Sequence, residues 1–311
     1  MVLPFKTKKA KNKKTAGLFI TPEGISLAII NHTPSTPRLE HTQLYPCTAE
    51  QYDSVLSLLA KTHKLDTVNC CFVLGQDEHE FFQVEKPDVE THEIPSALRW
   101  SIKDLVTYDI DDVVLDYINL PYGNNIQVVT TQKQIINKRV ELMRNSSCHI
   151  SSIDISNHAA RNLIAAMKIT NADAIIGLLN LWGNNANIGV FQKGDIYINR
   201  STTIGVEALN IINSEEVNDN DVLDNLAIEL QRTFDYFESV HQQAAVNKVV
   251  IISNTETIPL LDKLIEERLG IECLSITGKD INQLNLQVLP SQDIISNQCL
   301  MAIGGALRTE H

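Results

Sequence analysis

Long apolar runs are absent from this sequence. No uninterrupted hydrophobic stretch approaches the ~20 residues a helix needs to cross a bilayer, and the first residues hold no apolar segment of the secretion-signal kind. A cytoplasmic protein is expected, held at a membrane only by something other than a span of its own. Paired cysteines are absent too: Cys47, Cys70, Cys71, Cys148, Cys273 and Cys299 are scattered, with no CxxC among them. That argues against a disulfide framework and predicts reduced, mostly buried thiols. The nine histidines include no HExxH and no paired ligand spacing, and "DIDD" at 109–112 has no partner spacing, so no metal site is expected. There is no GxSxG, so hydrolase chemistry has no support.

Positive charge is scarce outside one place. "MVLPFKTKKAKNKK" holds Lys6, Lys8, Lys9, Lys11, Lys13 and Lys14 and no acid; removing those six charges from the net −12 leaves −18 on residues 15–311. A body that acidic argues against wrapping nucleic acid. Residues 1–14 are expected as a disordered, solvated tail. Contact with anionic lipid would add at most about 1 kcal/mol per lysine, weak and salt-sensitive without an acyl chain.

What is present reads as a soluble α/β protein: 43% hydrophobic and 21% charged residues, in a length sufficient for two ordinary domains. "TAGLFI", the turn "TPEG" and "ISLAII" form a β-hairpin; "TAEQYDSVLSLLAKTHKL" is a helix behind a Thr that can cap it. "VNCCFVL" is too apolar for a solvated face and reads as a central strand, with Cys70 and Cys71 on opposite faces. Residues 83–155 read as a compact α-β-β-α-β insert, in which Ala97, Leu98, Ile102 and Leu105 share a helix side and Trp100 is a packing residue. "SNHAARNLIAAMKI" returns the chain to the first domain. The second half repeats the scheme: "AIIGLLNL", the turn "WGNN" and "ANIGVF" form a hairpin, followed by "IYINRSTTIG". The helix "VLDNLAIELQRTFDYFESVHQQ" puts Leu223, Leu226, Leu230, Phe234, Phe237 and Val240 on one face. The strand "NKVVIIS", the helix "ETIPLLDKLIEERLG" and a terminal helix whose Gly304 and Gly305 permit close backbone packing complete the pattern. Two hairpin-led halves imply two lobes with a cleft between them.

Five segments, "PSALRWSIKDLV" with "VVLDYINLP", "KGDIYINRSTTIGVEAL", "ELQRTFDYFES" and "GGALR", taken in their order and spacing, resemble the PilM-like proteins of type IV pilus machines. The resemblance runs from Thr15 to Arg308. It implies the actin/FtsA-like fold, a duplicated ribonuclease-H-like core with an inserted small α/β subdomain. The implied parts are a first core subdomain (15–82 and 156–171, plus the C-terminal helix 293–308) and the insert (83–155). A second core subdomain (172–210 and 248–292) and its smaller companion (211–247) make up the rest.

In ATP-binding relatives of that fold, two hairpin tips hold the phosphates through backbone amides, and an Asp before each tip governs magnesium. Here the first hairpin has Ile20 at the Asp position, then Thr21, Pro22, Glu23 and Gly24; Pro22 removes an amide donor. The second has Asn180 at the Asp position, Trp182 where a Gly would follow, then Gly183, Asn184 and Asn185. The adenosine turn, Gly-Gly in the relatives, reads Ser253-Asn254-Thr255. Losing a charge-assisted contact costs about 1.5–3 kcal/mol, so two losses weaken affinity by about two to four decades. The resemblance therefore implies a vestigial nucleotide cleft (Thr21, Glu23, Gly24, Asn180, Trp182, Gly183, Asn184, Ser253 and Asn254), no cofactor with ATP and magnesium disfavoured, and no catalysis. It implies a scaffold at the cytoplasmic face of the inner membrane. The partner would be the cytoplasmic N-terminal segment of a PilN-like membrane protein, held in a groove between 15–82 and 83–155, among other pilus components. An ATP-responsive switch and a filament-forming actin relative are the competing readings.

Overall fold

The computed structural model describes residues 13–33, 36–167, 174–210, 220–241, 244–255, 261–284, 286–288 and 295–308. The chain starts with β1 (Lys14–Thr21), β2 (Gly24–Asn31), β3 (Arg38–Pro46), α1 (Tyr52–His63) and β4 (Asn69–Leu74). Next come β5 (Glu80–Glu85), α2 (Ile94–Ile102), β6 (Val113–Asn119) and β7 (Asn125–Gln132), then α3 (Lys133–Asn145), β8 (Ile150–Ile155) and α4 (Ser156–Ala166). The second half has β9 (Ile175–Trp182), β10 (Asn185–Gln192), β11 (Asp195–Thr202), α5 (Val206–Asn210) and α6 (Asn220–His241). It closes with β12 (Lys248–Ser253), α7 (Leu261–Leu269), β13 (Glu272–Ile276), β14 (Gln287–Val288) and α8 (Leu300–Ala306). The described residues fall into two units, one of 1–75, 135–169 and 277–311, the other of 76–134 and 170–276.

The first unit is built on a six-stranded sheet of order β14-β3-β2-β1-β4-β8, and the second on a five-stranded sheet of order β11-β10-β9-β12-β13. Setting β14 aside, the two have the same order and directions. Each opens with an antiparallel hairpin extended by a third antiparallel strand, and adds two parallel strands beside the first. Parallel neighbours need covering on both faces, which is why "VNCCFVL" and "NKVVIIS" are nearly continuous apolar runs. Cys70 and Cys71 are both buried on opposite faces of β4, and burial pushes the Cys71 thiol up to about 12.

In the first unit α8 lies against β1 and α4. Gly304 is needed there: a Cβ at that position would sit 2.2 Å from the Ala159 carbonyl oxygen of α4. In the second unit α6 covers the sheet with Leu223, Leu226, Leu230, Phe234 and Phe237, all buried. Full burial of such a side chain contributes about 1.5–3 kcal/mol. Val240, expected on the same face, is 49% exposed at the helix's far end. No helix among the described residues is long and apolar enough to cross a membrane.

The insert is smaller than expected. A three-stranded sheet of order β5-β7-β6 carries α2 on one face, around Ile94, Leu98, Ile102, Val113, Ile126 and Val128. The expected closing strand at 150–155 is β8, which pairs in parallel with β4 in the six-stranded sheet. The expected span 83–155 thus contracts to about 80–132, and α3 and β8 belong with the first sheet. The reason is pairing: Cys71↔Ser152 through Leu74↔Ile155 complete a parallel ladder that no local pattern can announce. Leu105 lies beyond α2 and is 50% exposed, and Trp100 is 77% exposed with the Lys103 ammonium 5.6 Å over its ring, so neither belongs to the core.

The lysine segment divides. Lys6, Lys8, Lys9 and Lys11 lie outside the described residues, and Lys13 precedes β1. Lys14 is already a strand residue, with its Nζ 2.5 Å from Glu40 on β3, and so departs from the expectation of a solvated segment through 14.

Candidate functional site

The first hairpin tip is built by β1 and β2 in the first unit. Thr21 pairs with Gly24 across a Pro22-Glu23 turn, and both turn residues are exposed. Ile20 is buried, an apolar side chain at the position where metal chemistry would need an oxygen. The Tyr52 hydroxyl of α1 donates to the Thr21 carbonyl at 2.9 Å, while Thr21 Oγ1 is buried without a partner. Gly24 has a structural cause: its φ is +144°, and a Cβ there would fall 2.2 Å from the Tyr45 carbonyl oxygen on β3. The close approach of β2 to β3 demands glycine whether or not a phosphate was ever held.

The second tip, in the other unit, is closed from within. Asn180 on β9 is fully buried, and its Oδ1 accepts the Trp182 indole N–H at 2.8 Å. Its main-chain carbonyl accepts the Gln76 side-chain amide at 2.7 Å. Thus the oxygen of the Asn180 carboxamide is taken by the indole of Trp182, which stands where a glycine was expected. Beyond it, the Gly183 carbonyl accepts the Glu207 amide at the start of α5, at 2.9 Å. That amide, at a helix start of the kind that receives anions elsewhere, is bonded within the protein. The turn itself is Gly183-Asn184, since Asn185 is already paired with Trp182.

Ser253 ends β12 and pairs with Leu181, so the Ser253-Asn254 turn lies beside the second tip. Ser253 Oγ and Thr255 Oγ1 are 3.1 Å apart, and the Thr255 amide donates to Ser253 Oγ at 3.3 Å, a local turn that uses the serine hydroxyl. Three atoms in this second-unit group are buried without partners: Asn180 Nδ2, Gln76 Oε1 and Asn254 Oδ1. Such groups mark a place where water or a polar ligand can be taken up. Of the nine expected residues, the second unit holds Asn180, Trp182, Gly183, Asn184, Ser253 and Asn254 at one end of its sheet; Thr21, Glu23 and Gly24 form the tip of the other unit's sheet.

Sequence reasoning missed a row of polar side chains across the five-stranded sheet, buried at Asn180, Asn187 and Asn199 and exposed at Ser201. Asn187 on β10 pairs with Asn180 and with Ser201 on β11, whose hydroxyl donates to Asn187 Oδ1 at 2.9 Å. Asn199, two residues from Ser201, is buried on the same face, and its carbonyl accepts the buried Gln127 amide from β7 at 3.3 Å. The available signal was asparagine at period two inside apolar strands, as in "NAN" and "INRS".

The chain superposes on a protein described as "PilM-PilN type IV pilus biogenesis complex" with a TM-score of 0.73, covering 94% of this chain and 97% of that one at 15% identity. It also superposes on a Bacteroides thetaiotaomicron protein with actin-like ATPase fold and unknown function, at a TM-score of 0.50 and 8% identity, covering 96% and 98%. The fold is actin-like. No family model matches the sequence. No curated protein matches it either. At these identities the actin-like fold is shared while side chains are not, so the chemistry rests on the residues above. Ile20 and Asn180, the residues that the resemblance sets where an acid would manage magnesium, are both neutral.

Proposed function

We propose that this chain is a non-catalytic scaffold of a type IV pilus assembly machine, peripheral at the cytoplasmic face of the inner membrane. It holds the cytoplasmic N-terminal segment of a PilN-like membrane protein among the other machine components. The machine is of the mannose-sensitive haemagglutinin (MSHA) type, with this chain in the place of MshI. The observation that carries the non-catalytic reading is the Asn180–Trp182 pair, which turns the second tip into a packed turn. The likeness in shape to a protein of a PilM–PilN complex supports the choice of partner. A pull-down with the synthetic N-terminal segment of the PilN-like protein tests it: retention is expected with a Kd on the order of 10 μM, about −7 kcal/mol. No retention at that concentration removes the scaffold reading.

A second reading, an ATP-responsive switch, is favoured by the unpartnered Asn180 Nδ2 and Asn254 Oδ1 of the second unit. It requires a rise in melting temperature with millimolar Mg-ATP that Asn180→Ala abolishes. A flat trace eliminates it.

A further inference from the structure

We infer that the second unit carries a peptide-docking groove between the free edges of β5 and β11, which takes an extended, acidic–apolar segment of a partner protein by strand addition. The inference stands apart from the pilus reading, because it rests on groups within this unit alone. The groove is about 680 Å³ and is lined by residues 80–83 of β5 and 198–201 of β11, with Leu105, Gln127 and Tyr236 among its other walls. Both strands are edges of their sheets. Successive residues of a strand point to opposite faces. Four consecutive residues can line one cavity only where it runs along the strand's edge, and this holds on both sides. The walls therefore include main chain, which selects a ligand with a main chain of its own.

The outward peptide groups can be assigned. Lys86 N donates to the Asn124 carbonyl at 2.7 Å, so 86 and 124 form a bonded antiparallel pair. By alternation the bonded pairs of the ladder are Val84/Ile126, Phe82/Val128 and Glu80/Thr130, leaving the N–H and C=O of Phe81 and Gln83 directed to the free edge. An extended segment lying along the six residues of β5 spans about 20 Å.

Polar chemistry inside the groove also calls for a ligand. Gln127 is 3% exposed; its amide nitrogen serves Asn199, but its Oε1 is buried without a partner. Glu80 is already served: its Oε1 accepts the Thr107 hydroxyl, and the Tyr108 hydroxyl is a further donor to its carboxylate. Gln127 Oε1 is the acceptor that waits for a donor. On the opposite wall the Arg200 guanidinium is exposed and makes no ion pair or hydrogen bond among the described residues, so it favours a carboxylate on the incoming segment. Leu105 and Tyr236, 50% and 39% exposed, supply apolar contact for its alternate residues. A solvated edge guarded by Glu80 and Arg200 is the plain alternative, but it leaves buried Gln127 Oε1 without explanation.

A phage-displayed random decapeptide library panned against the full chain tests the inference, with synthetic copies of the selected peptides measured by titration. Enrichment of sequences that alternate apolar residues with Asp or Glu is expected. Gln83→Pro removes one outward amide and blocks strand addition without touching the β5–β7 ladder; it should weaken binding about tenfold or more. Arg200→Glu, at an exposed position, should weaken acidic peptides about tenfold and reverse the preference toward basic ones. If Gln83→Pro does not fold, the charge reversal decides alone. No enrichment over the double variant, or selected peptides indifferent to Arg200→Glu, overturns the inference.

Discussion

The two sheets share a strand order, yet they bury different things. In the first, Gly17 on β1 faces the backbone of α8, and a Cβ would lie 1.8 Å from the Ala302 carbonyl oxygen. In the second, Gly177 on β9 faces an aromatic ring, and a Cβ would lie 2.6 Å from Phe234 Cζ of α6. The first unit also buries titratable groups. Asp154 on β8 is 3% exposed, bonded to Arg308 at 2.6 Å and to His158 at 2.9 Å. His41 stacks on His63 with ring centroids 4.3 Å apart. The polar row buried in the second sheet is made of amides, Asn180, Asn187 and Asn199, with the exposed Ser201 hydroxyl bonded to its edge. One topology thus tolerates two ways of placing polarity, charged and paired or neutral and hydrogen-bonded. Only the first way makes a sheet sensitive to acid.

The largest effect should come from Gly17→Ala, because a main-chain neighbour cannot rotate aside. A loss at or beyond about 3 kcal/mol is expected, the upper end for overpacking, read as a collapse of the urea midpoint. Asp154→Asn removes one charge of a buried group of three and should cost about 3 kcal/mol. Gly177→Ala meets the movable Phe234 ring instead, so about 1–2 kcal/mol is expected, largely restored by adding Phe234→Leu. If the two glycine variants are equally damaging, the contrast between helix backbone and ring is wrong.

Acidification sharpens the comparison further. Burial, with the charge of His63 second, lowers His41 to about 4. Its neutral form is the one the fold favours, so the contribution is complete above the unfolded value near 6.5 and is lost as pH falls toward 4. Because the ring is partly exposed, screening reduces the full linkage to about 1–2 kcal/mol. Asp154 acts in a separate window. His158 and Arg308 hold its carboxyl well below the ordinary carboxylate range despite the opposing effect of burial. Its contribution is present above the unfolded value near 3.9 and is lost only below it. From pH 7 to 4.5, hydrogen-exchange protection factors, taken relative to the intrinsic rate at each pH, should therefore fall first in β2, β3 and α1, with those of β9 to β11 unchanged, and His41→Phe should remove the effect. A fall in protection spread equally over both sheets would refute the contrast. The smallest change is expected from Trp182→Phe, about 1 kcal/mol, because it leaves buried Asn180 Oδ1 without its donor; a urea titration measures it.

Local chemistry announces much of this molecule. Alternation and turn residues mark both hairpins, the three-residue and four-residue steps of Leu223 to Phe237 mark α6, and Gly304 marks a close helix contact. The neutral side chains at 20 and 180 are legible as letters. These properties come from single residues or from neighbours within a turn or two of the chain.

Tertiary pairing decided the rest. β8 reads as the end of the insert until β4 claims it, and β3, β13 and β14 carry too little local pattern to be recognised before their neighbours are in place. Gly24 resembles a phosphate-tip glycine until the Tyr45 carbonyl stands 2.2 Å from its absent Cβ. Trp182 reads as an obstacle, but only the fold turns its indole N–H onto Asn180. The groove joins strands 118 positions apart, counting from Glu80 to Ile198. Periodicity and charge are properties of a segment, whereas register, close approach and a shared cavity depend on which segments meet.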